Sequence, residues 1–572
     1  MIGLNKIGLN QVQLNRLRLN APFPTCRKMA GGGGSSDGFP QLPGDVTRWH
    51  FGGLTNEMMA AMDDPRIEDA DHKGRFLSFK NFAWKEGSGI SDVYPGFILG
   101  DGVDDFAVTE QQLNFEDTYT VYTAFIPFQD DPVRGMEMCG KDFKKDLYIY
   151  YSGTHLVYYT SGLNGFIPVH INQLHIIVCK RDKTNAVIKN LITGESKTFS
   201  VSELIDNPGV YYLWRYRIIG ASTSRAAIAG QTICNGHYST DEEDAKVLAW
   251  YKKEYPWLFP DQAWTVTGKT NEDEDRATIA NITGNGNDLI LSNFGFAEGS
   301  GYGLYKLNFN NWFANSGSGN VNIVNVVNPH KIVLEQSQEA VGAFFLGKNV
   351  SYTGELKISV SNKPSDIELS FGSTALGKVI LNEGINIVKI NPVNTSIGFF
   401  TNKAFEAQNI IIEQIPEYEG YLVTDGVDDI ASSKNFVFEP DFTFIGEWKF
   451  IQKDNTVAGI NSSSHLYIQN RYNRGATVMI NSTSESKKNI TDYMTLKAIT
   501  SKGKGYDENW NEVNLLYGDG FKDPSAGLNI GGQGGAEFCH MIFKNMALYM
   551  NKVFSKDDCI KAYNYLQTLK AK

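Results

Sequence analysis

Residues 101–105 read Asp-Gly-Val-Asp-Asp, and the same five residues return at 425–429. The segment before each copy matches too, because residues 94–99 (Tyr-Pro-Gly-Phe-Ile-Leu) align with residues 418–423 (Tyr-Glu-Gly-Tyr-Leu-Val). In both copies a short apolar run ends in a turn that contains glycine, which is typical of a β-strand and the turn after it. The repeat therefore predicts two related β-domains, and duplicated β-modules favour a binding or structural role.

The two predicted domains also end alike. Residues 239–242 (Ser-Thr-Asp-Glu) and 555–558 (Ser-Lys-Asp-Asp) each place a hydroxyl residue before acidic residues. Such a pattern indicates the start of a helix, because the hydroxyl caps free amides and the acids face the positive end of the helix dipole. We predict helices over about residues 241–254 and 556–569, each with serine as its N-cap.

A second repeat precedes each domain. Residues 49–89 and 264–301 share a Trp-x-x-x-Gly-x-Thr-Asn-Glu segment and, farther on, an Asn-Phe pair followed by Glu-Gly-Ser-Gly. We interpret this repeat as a small connector module.

Between the second connector and the second domain, apolar and polar residues alternate in short runs separated by turn residues, which predicts an inserted β-sandwich.

Composition agrees with an all-β, multidomain protein. The 572-residue chain has 12% aromatic residues and 56 glycines, and these residue types favour pleated strands and their turns. The predicted order is an anchor (1–30), a flexible linker (31–48), connector 1 (49–93), β-domain 1 (94–260), connector 2 (261–301), the inserted β-sandwich (302–415) and β-domain 2 (416–572).

The net charge and the spacing of the cysteines limit the classes of partner and the compartment that we expect. A net charge of −11 argues against nucleic acid as the main partner. No apolar run is long enough for membrane insertion, and no signal peptide is predicted. The six cysteines lack the spacing of a zinc site or a disulfide framework, so we expect assembly in a reducing cytoplasm.

The first twenty residues repeat every five, each unit reading apolar-x-Leu-Asn. Residues 1–30 also carry basic residues and no acidic ones. This pattern predicts an anchor that docks on an acidic partner, either as a small β-solenoid or as an extended arm. The predicted anchor residues are Ile2, Leu4, Ile7, Leu9, Val12, Leu14, Arg16, Leu17, Arg18 and Leu19.

The duplicated domains resemble a known superfamily. A strand that ends in Asp-Gly-x-Asp-Asp, an all-β body, an Ile-Gly strand and a short capped helix are similar to concanavalin A-like, laminin G-like jelly rolls. The resemblance covers about residues 94–258 and 418–570 and implies two jelly-roll sandwiches. The insert is similar in general pattern to galactose-binding carbohydrate-binding modules.

The connector phrase resembles a phage family. Residues 268–272 (Gly-Lys-Thr-Asn-Glu), the Asn-Phe pair at 293–294 and the Glu-Gly-Ser-Gly segment at 298–301 look like virion proteins of Bacteroides phages, the crAss-like phages included. This resemblance implies a head fibre, a tail fibre or a related decoration of the virion.

The two Asp-Gly-Val-Asp-Asp turns are candidates for calcium binding. Carboxylate oxygens suit this hard cation, but calcium needs about six to eight oxygen ligands, more than either turn offers. We favour a structural turn, in which glycine supplies the backbone conformation and aspartates bond nearby amides, and we predict no required cofactor. The candidate metal ligands are Asp101, Asp104, Asp105, Asp425, Asp428 and Asp429.

A hairpin rich in tyrosine is the candidate glycan site. Residues 147–159 contain two tyrosine-bearing strands around a turn at 152–153, and alternate tyrosines on one sheet face could stack on sugar rings. Packing in the core or between subunits explains tyrosines equally well. The residues proposed for this face are Tyr148, Tyr150 and Tyr158.

The sequence predicts no catalytic residues. The acids at 272–275 (Glu-Asp-Glu-Asp) are consecutive in a polar loop, whereas the acid and nucleophile of a retaining glycosidase need one face and a separation of about 5–5.5 Å. We therefore expect a protein that is not an enzyme. A capsular polysaccharide depolymerase on the same fold and a bacterial surface lectin are the alternatives.

Together these features predict a structural appendage of a phage virion. Its N-terminus would attach to capsid or tail proteins, and its β-domains would contact glycans of the host surface. A homo-oligomer, with a trimer favoured, would multiply weak contacts through avidity.

Overall fold

In a computed structural model the chain divides into two compact units, residues 1–259 and 260–572. The structure describes residues 38–128, 134–139, 147–152, 154–160, 163–202, 209–214, 223–311, 322–336, 349–350, 354–373, 377–389, 395–402, 409–433, 438–451, 457–462, 466–471, 475–480, 488–490, 496–515, 527–533 and 537–571. The predicted anchor and residues 31–37 of the predicted linker lie outside these residues.

Unit 1 is built of antiparallel strands. Its strands are β1 (Asp45–His50), β2 (Arg66–Glu68), β3 (Phe76–Lys80), β4 (Gly89–Ile90), β5 (Ile98–Leu99), β6 (Phe106–Thr109), β7 (Tyr119–Pro127), β8 (Arg134–Cys139), β9 (Leu147–Ser152), β10 (His155–Thr160), β11 (Leu163–Pro168), β12 (His175–Arg181), β13 (Asn185–Asn190), β14 (Ser196–Ser200), β15 (Tyr211–Leu213) and β16 (Ala226–Asn235).

These strands form the two sheets of a β-sandwich. One sheet has the order β14-β13-β12-β7-β16-β5-β4, with β1 also paired to β16, and the other has the order β11-β10-β9-β8-β15-β6-β3-β2. Alternate side chains of both sheets point inward, as the period of a strand requires, and bury one apolar core that includes Trp49, Tyr158 and Trp214.

The strands of connector 1 belong to these same sheets, and so do residues 45–48 of the predicted flexible linker, which form the first part of β1. Strand β1 pairs with β16, and β3 pairs with β6. The predicted division between residues 93 and 94 therefore separates strands that the structure pairs. The correction has a physical cause: a strand as short as β2, β3 or β4 cannot satisfy its backbone groups alone and must join a sheet.

Unit 2 repeats the sandwich and adds further strands. Its first strands are β17 (Gln262–Thr265), β18 (Thr278–Ile279), β19 (Leu289–Ser292), β20 (Gly301–Leu304), β21 (Asn322–Asn328), β22 (Lys331–Gln336), β23 (Asn349–Val350), β24 (Glu355–Ser361), β25 (Leu369–Ser373), β26 (Gly377–Leu381), β27 (Gly384–Lys389), β28 (Thr395–Ser396), β29 (Gly398–Thr401) and β30 (Ile410–Ile415).

The remaining strands of unit 2 follow the insert. They are β31 (Glu417–Val423), β32 (Ile430–Ser433), β33 (Phe442–Phe450), β34 (Val457–Ser462), β35 (Leu466–Arg471), β36 (Gly475–Ile480), β37 (Lys488–Ile490), β38 (Leu496–Thr500), β39 (Lys504–Asp507), β40 (Glu512–Asn514), β41 (Leu528–Ile530), β42 (Gly532–Gln533), β43 (Glu537–Phe538) and β44 (Met541–Met550).

The sandwich of unit 2 has the strand order of unit 1. One sheet runs β20-β31-β44-β33-β38-β39-β40, with β17 paired to β44, and the other runs β18-β19-β32-β41-β34-β35-β36-β37. Strands β17–β20 thus take the places of β1–β4, strands β31–β41 those of β5–β15, and β44 that of β16. The duplication inferred from two short motifs extends to every strand of the sandwich.

The insert separates β20 from its partner β31. It contains a sheet of order β21-β22-β30-β24-β27 and a sheet of order β26-β25-β29, with β23 paired to β28. Both larger sheets contribute to one core, which includes Leu334, Ile358 and Phe371. The predicted fold class, all-β with several β-sandwiches, is confirmed.

Three short α-helices are described, and two of them close the sandwiches. They are α1 (Asn56–Ala60), α2 (Asp241–Glu254) and α3 (Lys556–Thr568), together with 3₁₀ turns at Pro256–Leu258 and Phe309–Asn311. Ser555 caps α3 as predicted, but Thr240 rather than serine caps α2, in a capping box with Glu243. Among the described residues, no helix has the length and apolar character needed to cross a bilayer.

Candidate functional site

The acidic turns at 101–105 and 425–429 share one geometry. In the first, the Asp101 carboxylate accepts hydrogen bonds from the amides of Val103 and Asp104 at 2.7 and 3.2 Å, and Asp105 Oδ2 accepts one from the Asp101 amide at 2.9 Å. The second turn repeats all three bonds at 2.7, 3.3 and 2.7 Å. Gly102 has φ of +78°, a conformation that glycine adopts without steric cost.

Residues of the connector repeat hold each turn from outside. Asn81 Nδ2 donates to the carbonyl of Asp104 at 3.0 Å, and Asn293 Nδ2 donates to the carbonyl of Asp428 at 2.9 Å. Both asparagines have positive φ, 69° and 70°, which asparagine tolerates better than most residues. The two repeats found in the sequence therefore form one duplicated structural unit.

Each turn buries one carboxyl group. Burial raises the pKa of Asp105 to about 6 and the pKa of Asp429 to about 7. Neighbouring aspartates raise these pKa values further, whereas hydrogen bonds from Ser88 and Ser300 lower them. These carboxyls thus titrate well above the ordinary range of aspartate.

The turn geometry bears on calcium binding. Ligand atoms from Asp101, Asp104 and Asp105 lie within 4.8 Å of one another, as do those from the second turn. However, one oxygen of Asp101 and one of Asp105 already accept backbone hydrogen bonds. These bonds are sufficient to explain both aspartates as structural residues of the turn. The structural turn stays the favoured interpretation of the sequence, and calcium binding stays the alternative.

The tyrosine hairpin forms as expected, with its register set by a two-residue loop. Strand β9 pairs antiparallel with β10, so that Tyr148 lies opposite Tyr159 and Ile149 lies opposite Tyr158. Residues directly opposite each other share a face of the sheet. Tyr148 and Tyr150 therefore share the outward face with Tyr159.

Tyr158 does not belong to this face, which corrects the prediction. Its side chain is fully buried in the core, and its hydroxyl bonds the hydroxyl of Tyr119 at 2.8 Å. In a hairpin with a two-residue loop, an even-numbered residue of one strand lies opposite an odd-numbered residue of the other. That parity was available from the sequence and would have selected Tyr159.

We call the outward side chains Tyr148, Tyr150, Tyr159 and Phe166 the aromatic face. The rings of Tyr148 and Tyr150 stack with centroids 4.6 Å apart, and Tyr159 meets Tyr148 edge-on at 6.5 Å. Phe166, on β11, is 54% exposed. Phe166 was not among the predicted residues, because no strand was predicted over residues 163–168.

Polar groups border the aromatic face. His155 on β10 and Asn164 on β11 are exposed, and the His155 ring meets Phe166 edge-on at 5.2 Å. Burial and the neighbouring Tyr159 raise the pKa of Tyr150, so its hydroxyl stays protonated and can donate a hydrogen bond at neutral pH. Tyr148 is only 7% exposed, so the rings that offer surface to a ligand are those of Tyr150, Tyr159 and Phe166. Partly exposed rings with polar groups at their edge are what a planar, partly apolar ligand requires.

The second copy keeps only one of the three tyrosines, because Tyr467 takes the place of Tyr148. The register of β35 and β36 places Tyr467 opposite Met479 and Gln469 opposite Thr477. Gln469 and Met479 therefore occupy the places of Tyr150 and Tyr159. The aromatic face is thus a feature of unit 1. The predicted anchor, from Ile2 to Leu19, lies outside the described residues.

Comparison with known proteins gives only distant matches. No protein-family model and no curated protein matches the chain. Among solved structures, a Trypanosoma rangeli sialidase mutant with trans-sialidase activity is 12% identical, with a TM-score of 0.26, and the match covers 33% of this chain and 31% of the sialidase. The chain thus spans about a third of that protein's length.

Two further matches are with other β-proteins. The receptor-binding domain of botulinum neurotoxin type G is 12% identical over 73% of this chain and 89% of that domain, with a TM-score of 0.27. A pentraxin from Limulus polyphemus is 11% identical over 25% of this chain and 73% of its own, with a TM-score of 0.21. At such TM-scores these likenesses carry no argument about function.

The expectation of a protein that is not an enzyme is corrected by the same comparison. The matched structures include sialidases, which are enzymes, and the expectation is withdrawn. The matches are partial and give no residue of this chain a catalytic role.

Proposed function

We propose that this chain is a carbohydrate-binding protein and that the aromatic face of unit 1 is its binding surface. The observation that carries the proposal is the cluster of Tyr148, Tyr150, Tyr159 and Phe166 on one outward sheet face. A soluble sandwich normally places polar side chains there, so an aromatic cluster calls for a ligand or partner.

The chemistry of the face fits a sugar. Tyrosine and phenylalanine rings offer flat apolar surfaces to the C–H groups of a pyranose, and tyrosine hydroxyls offer hydrogen bonds to its hydroxyls. His155 and Asn164 add exposed polar groups beside Phe166 and Tyr159. A short oligosaccharide that stacks on the rings and reaches these polar groups is the ligand class we propose.

A glycan array followed by calorimetry tests this proposal. We expect the full chain to bind at least one class of glycan, and Tyr150→Ala and Phe166→Ala each to weaken binding about tenfold, equivalent to ~1.4 kcal/mol. Ile290→Ala is the matched control, because Ile290 is an apolar side chain of unit 2 that is 49% exposed.

Two results would contradict the proposal. One is the absence of binding to every glycan tested, and the other is binding that both aromatic substitutions leave unchanged. Release of free sugar during the incubation would instead favour a polysaccharide-degrading activity.

We further propose that the protein is an appendage of a phage virion, anchored through residues 1–30 to capsid or tail proteins. The support is the basic five-residue repeat at the N-terminus and the resemblance of the connector phrase to virion proteins. Host surface glycans would then be the ligands of the aromatic face. Location in the virion follows from this proposal, with assembly in the host cytoplasm.

Electron microscopy of phage particles labelled with an antibody against this chain tests the second proposal. We expect label at one structural position, on the head or on the tail. Deletion of residues 2–20 should remove the label from particles while the chain itself is still produced. Unlabelled particles, or unchanged incorporation after the deletion, would refute it.

A further inference from the structure

The inserted β-sandwich ends in a strand with exposed apolar side chains. Strand β27 is the last in the order β21-β22-β30-β24-β27, and β24 is its partner among the described strands. Ile385 and Ile387 point away from the core and are 70% and 57% exposed. Large apolar side chains at such exposure mark an interaction surface when they cluster.

The second sheet of the insert ends on the same side. Strand β26 is an edge of the order β26-β25-β29, and only two residues connect it to β27. Its side chains Val379 and Ile380 are also exposed. Both sheets therefore end on one side of the insert, and both ends carry apolar residues.

Natural edge strands usually carry devices that prevent pairing, such as proline, a bulge or a charge in the middle of the strand. Residues 384–388 read Gly-Ile-Asn-Ile-Val and contain no proline and no charge. The described pairing of β27 with β24 runs without a register shift. We call residues 383–389 the open edge, because one side of this strand has no strand partner among the described residues.

We propose that the open edge pairs antiparallel with the open edge of a second copy of this chain, which gives a dimer in place of the trimer expected from the sequence. With a two-fold axis at Asn386, Ile385 of each copy lies opposite Ile387 of the other. Glu383 then lies opposite Lys389 of the second copy at both ends of the pairing. Apolar residues meet apolar residues on the outward face. Lys389 meets Glu383 of the other copy, a carboxylate that also accepts hydrogen bonds from the amides of Asn362 and Lys363 at 3.0 and 2.9 Å.

The sequence of the open edge specifies this register. Sliding the second copy by two residues in one direction places Ile385 opposite itself and Glu383 opposite Ile387, and the charged pairs are lost. Sliding the other way places Ile385 opposite Lys389. A shift by one residue moves the isoleucines to opposite faces. The edge is complementary to itself in one register, which favours a second copy over an unrelated partner.

Local contacts hold the open edge in shape. Asn386 Nδ2 donates to the carbonyls of Asn382 and Gly384 at 2.8 and 3.0 Å, which fixes the start of β27. Lys389 forms an ion pair with Glu355 of β24 at 2.8 Å, so its ammonium group is already positioned on the outward face. A preformed edge loses less conformational freedom when a strand is added.

Light scattering on the full chain tests the proposal. We expect wild type to have twice the mass of the Ile385→Lys/Ile387→Lys variant, because two lysines on the edge repel their copies in the second chain. Val327→Lys is the matched control: Val327 is 53% exposed on β21, at the other edge of the same sheet, and the substitution should leave the mass unchanged. Equal masses for wild type and the double-lysine variant would refute the proposal.

Cysteine crosslinking tests the register and does not depend on the lysine variant. Under oxidation, a mixture of Ile385→Cys and Ile387→Cys chains should give a crosslinked pair in at least fivefold higher yield than either chain alone, because residues 385 and 387 oppose each other only between copies. An equal yield in the mixture and in the single variants would contradict the pairing. This outcome is separate from the glycan proposal, since the open edge lies in unit 2 and the aromatic face in unit 1.

Discussion

The buried carboxyl group of each acidic turn helps to hold the turn together, but the free-energy cost of burying it depends on pH. Asp105 and Asp429 are fully buried, and each accepts a hydrogen bond from the first amide of its own turn. Burial favours the neutral form of a carboxyl, and this is the main cause of their raised pKa values. The turn is therefore most stable when these groups are protonated.

The sign of the pH effect follows from the direction of the pKa shift. In the unfolded chain both carboxyls have a pKa near 3.8, whereas in the folded protein the values are about 6 and about 7. Between about pH 4 and pH 7 the folded state binds protons that the unfolded state has lost, so stability falls as pH rises through that window. The contribution is fully present below pH 4.

We predict that Asp105→Asn removes part of this pH dependence. Relative to the variant, wild type should lose on the order of 2 kcal/mol of unfolding free energy between pH 4 and pH 8, measured by urea denaturation at each pH. Asp104→Asn is the control, because Asp104 is an exposed carboxylate of the same turn. If the Asp105→Asn chain follows the wild-type pH profile, the argument from burial is wrong.

Which tyrosines belong to the aromatic face also depends on the position of each individual residue in its strand. Tyr158 and Tyr159 are neighbours in the chain, yet Tyr158 is buried in the core while Tyr159 shares a face with Tyr148. Adjacent strand residues point to opposite sides, and the loop length of the hairpin decides which side faces the core. Composition cannot distinguish the two.

At the scale of the element, helix α2 is held to its sheet by buried polar contacts. Lys180 Nζ on β12 lies 2.6 Å from Asp244 Oδ2, with both side chains almost fully buried. The hydroxyls of Tyr122 and Ser239 each donate to Asp244 Oδ1 at 2.9 Å. The charged pair is thus supplied with hydrogen bonds that offset the cost of its desolvation.

We predict that Asp244→Ala destabilises unit 1 by about 3–5 kcal/mol, because it leaves the Lys180 charge buried without its partner. Urea denaturation followed by circular dichroism measures the loss. Lys246→Ala is the matched control on the same helix: it removes the exposed ion pair with Glu242 and should cost about 0.5 kcal/mol or less. Equal losses for the two variants would show that burial of the pair is unimportant.

At the scale of the whole molecule, the second sandwich is interrupted by the insert. Strands β20 and β31 pair with each other although more than a hundred residues separate them. In unit 1 the corresponding strands β4 and β5 are joined by residues 91–97 alone. The core of the second sandwich and the core of the insert consist of different residues, which indicates that the sandwich can form without the insert.

We therefore predict that replacing residues 303–417 with Ser-Asp-Val, the residues at 91–93, leaves the second sandwich folded. Thermal unfolding followed by tryptophan fluorescence, to which the buried Trp264 and Trp448 of this sandwich contribute, should remain cooperative. The shortened β20 and β31 keep the pairs Gly301–Val423 and Tyr302–Leu422. The same deletion removes β27, so the variant should have the mass of its own monomer in solution. A non-cooperative transition would show that the sandwich depends on the insert.

The duplication, the all-β class and the two closing helices could be predicted from the sequence because each rests on local signals. A turn such as residues 101–105 is specified by its own glycine and aspartates, and a helix start by its cap and acidic first turn. The limits of α2 were predicted to the residue. These features need no knowledge of distant strands.

The membership of each sheet, the aromatic face and the open edge were decided only by the tertiary structure. From the sequence, the segments that form β3 and β4 were predicted to belong to a separate connector. In the structure, their hydrogen-bond partners lie in the domain that follows. Likewise, Ile385 and Ile387 read as ordinary strand residues until the sheet order left β27 at an edge. Local sequence patterns determine which segments form strands. Pairing between distant strands is non-local, so only packing decides which of their side chains are buried and which remain available to a ligand or a second copy.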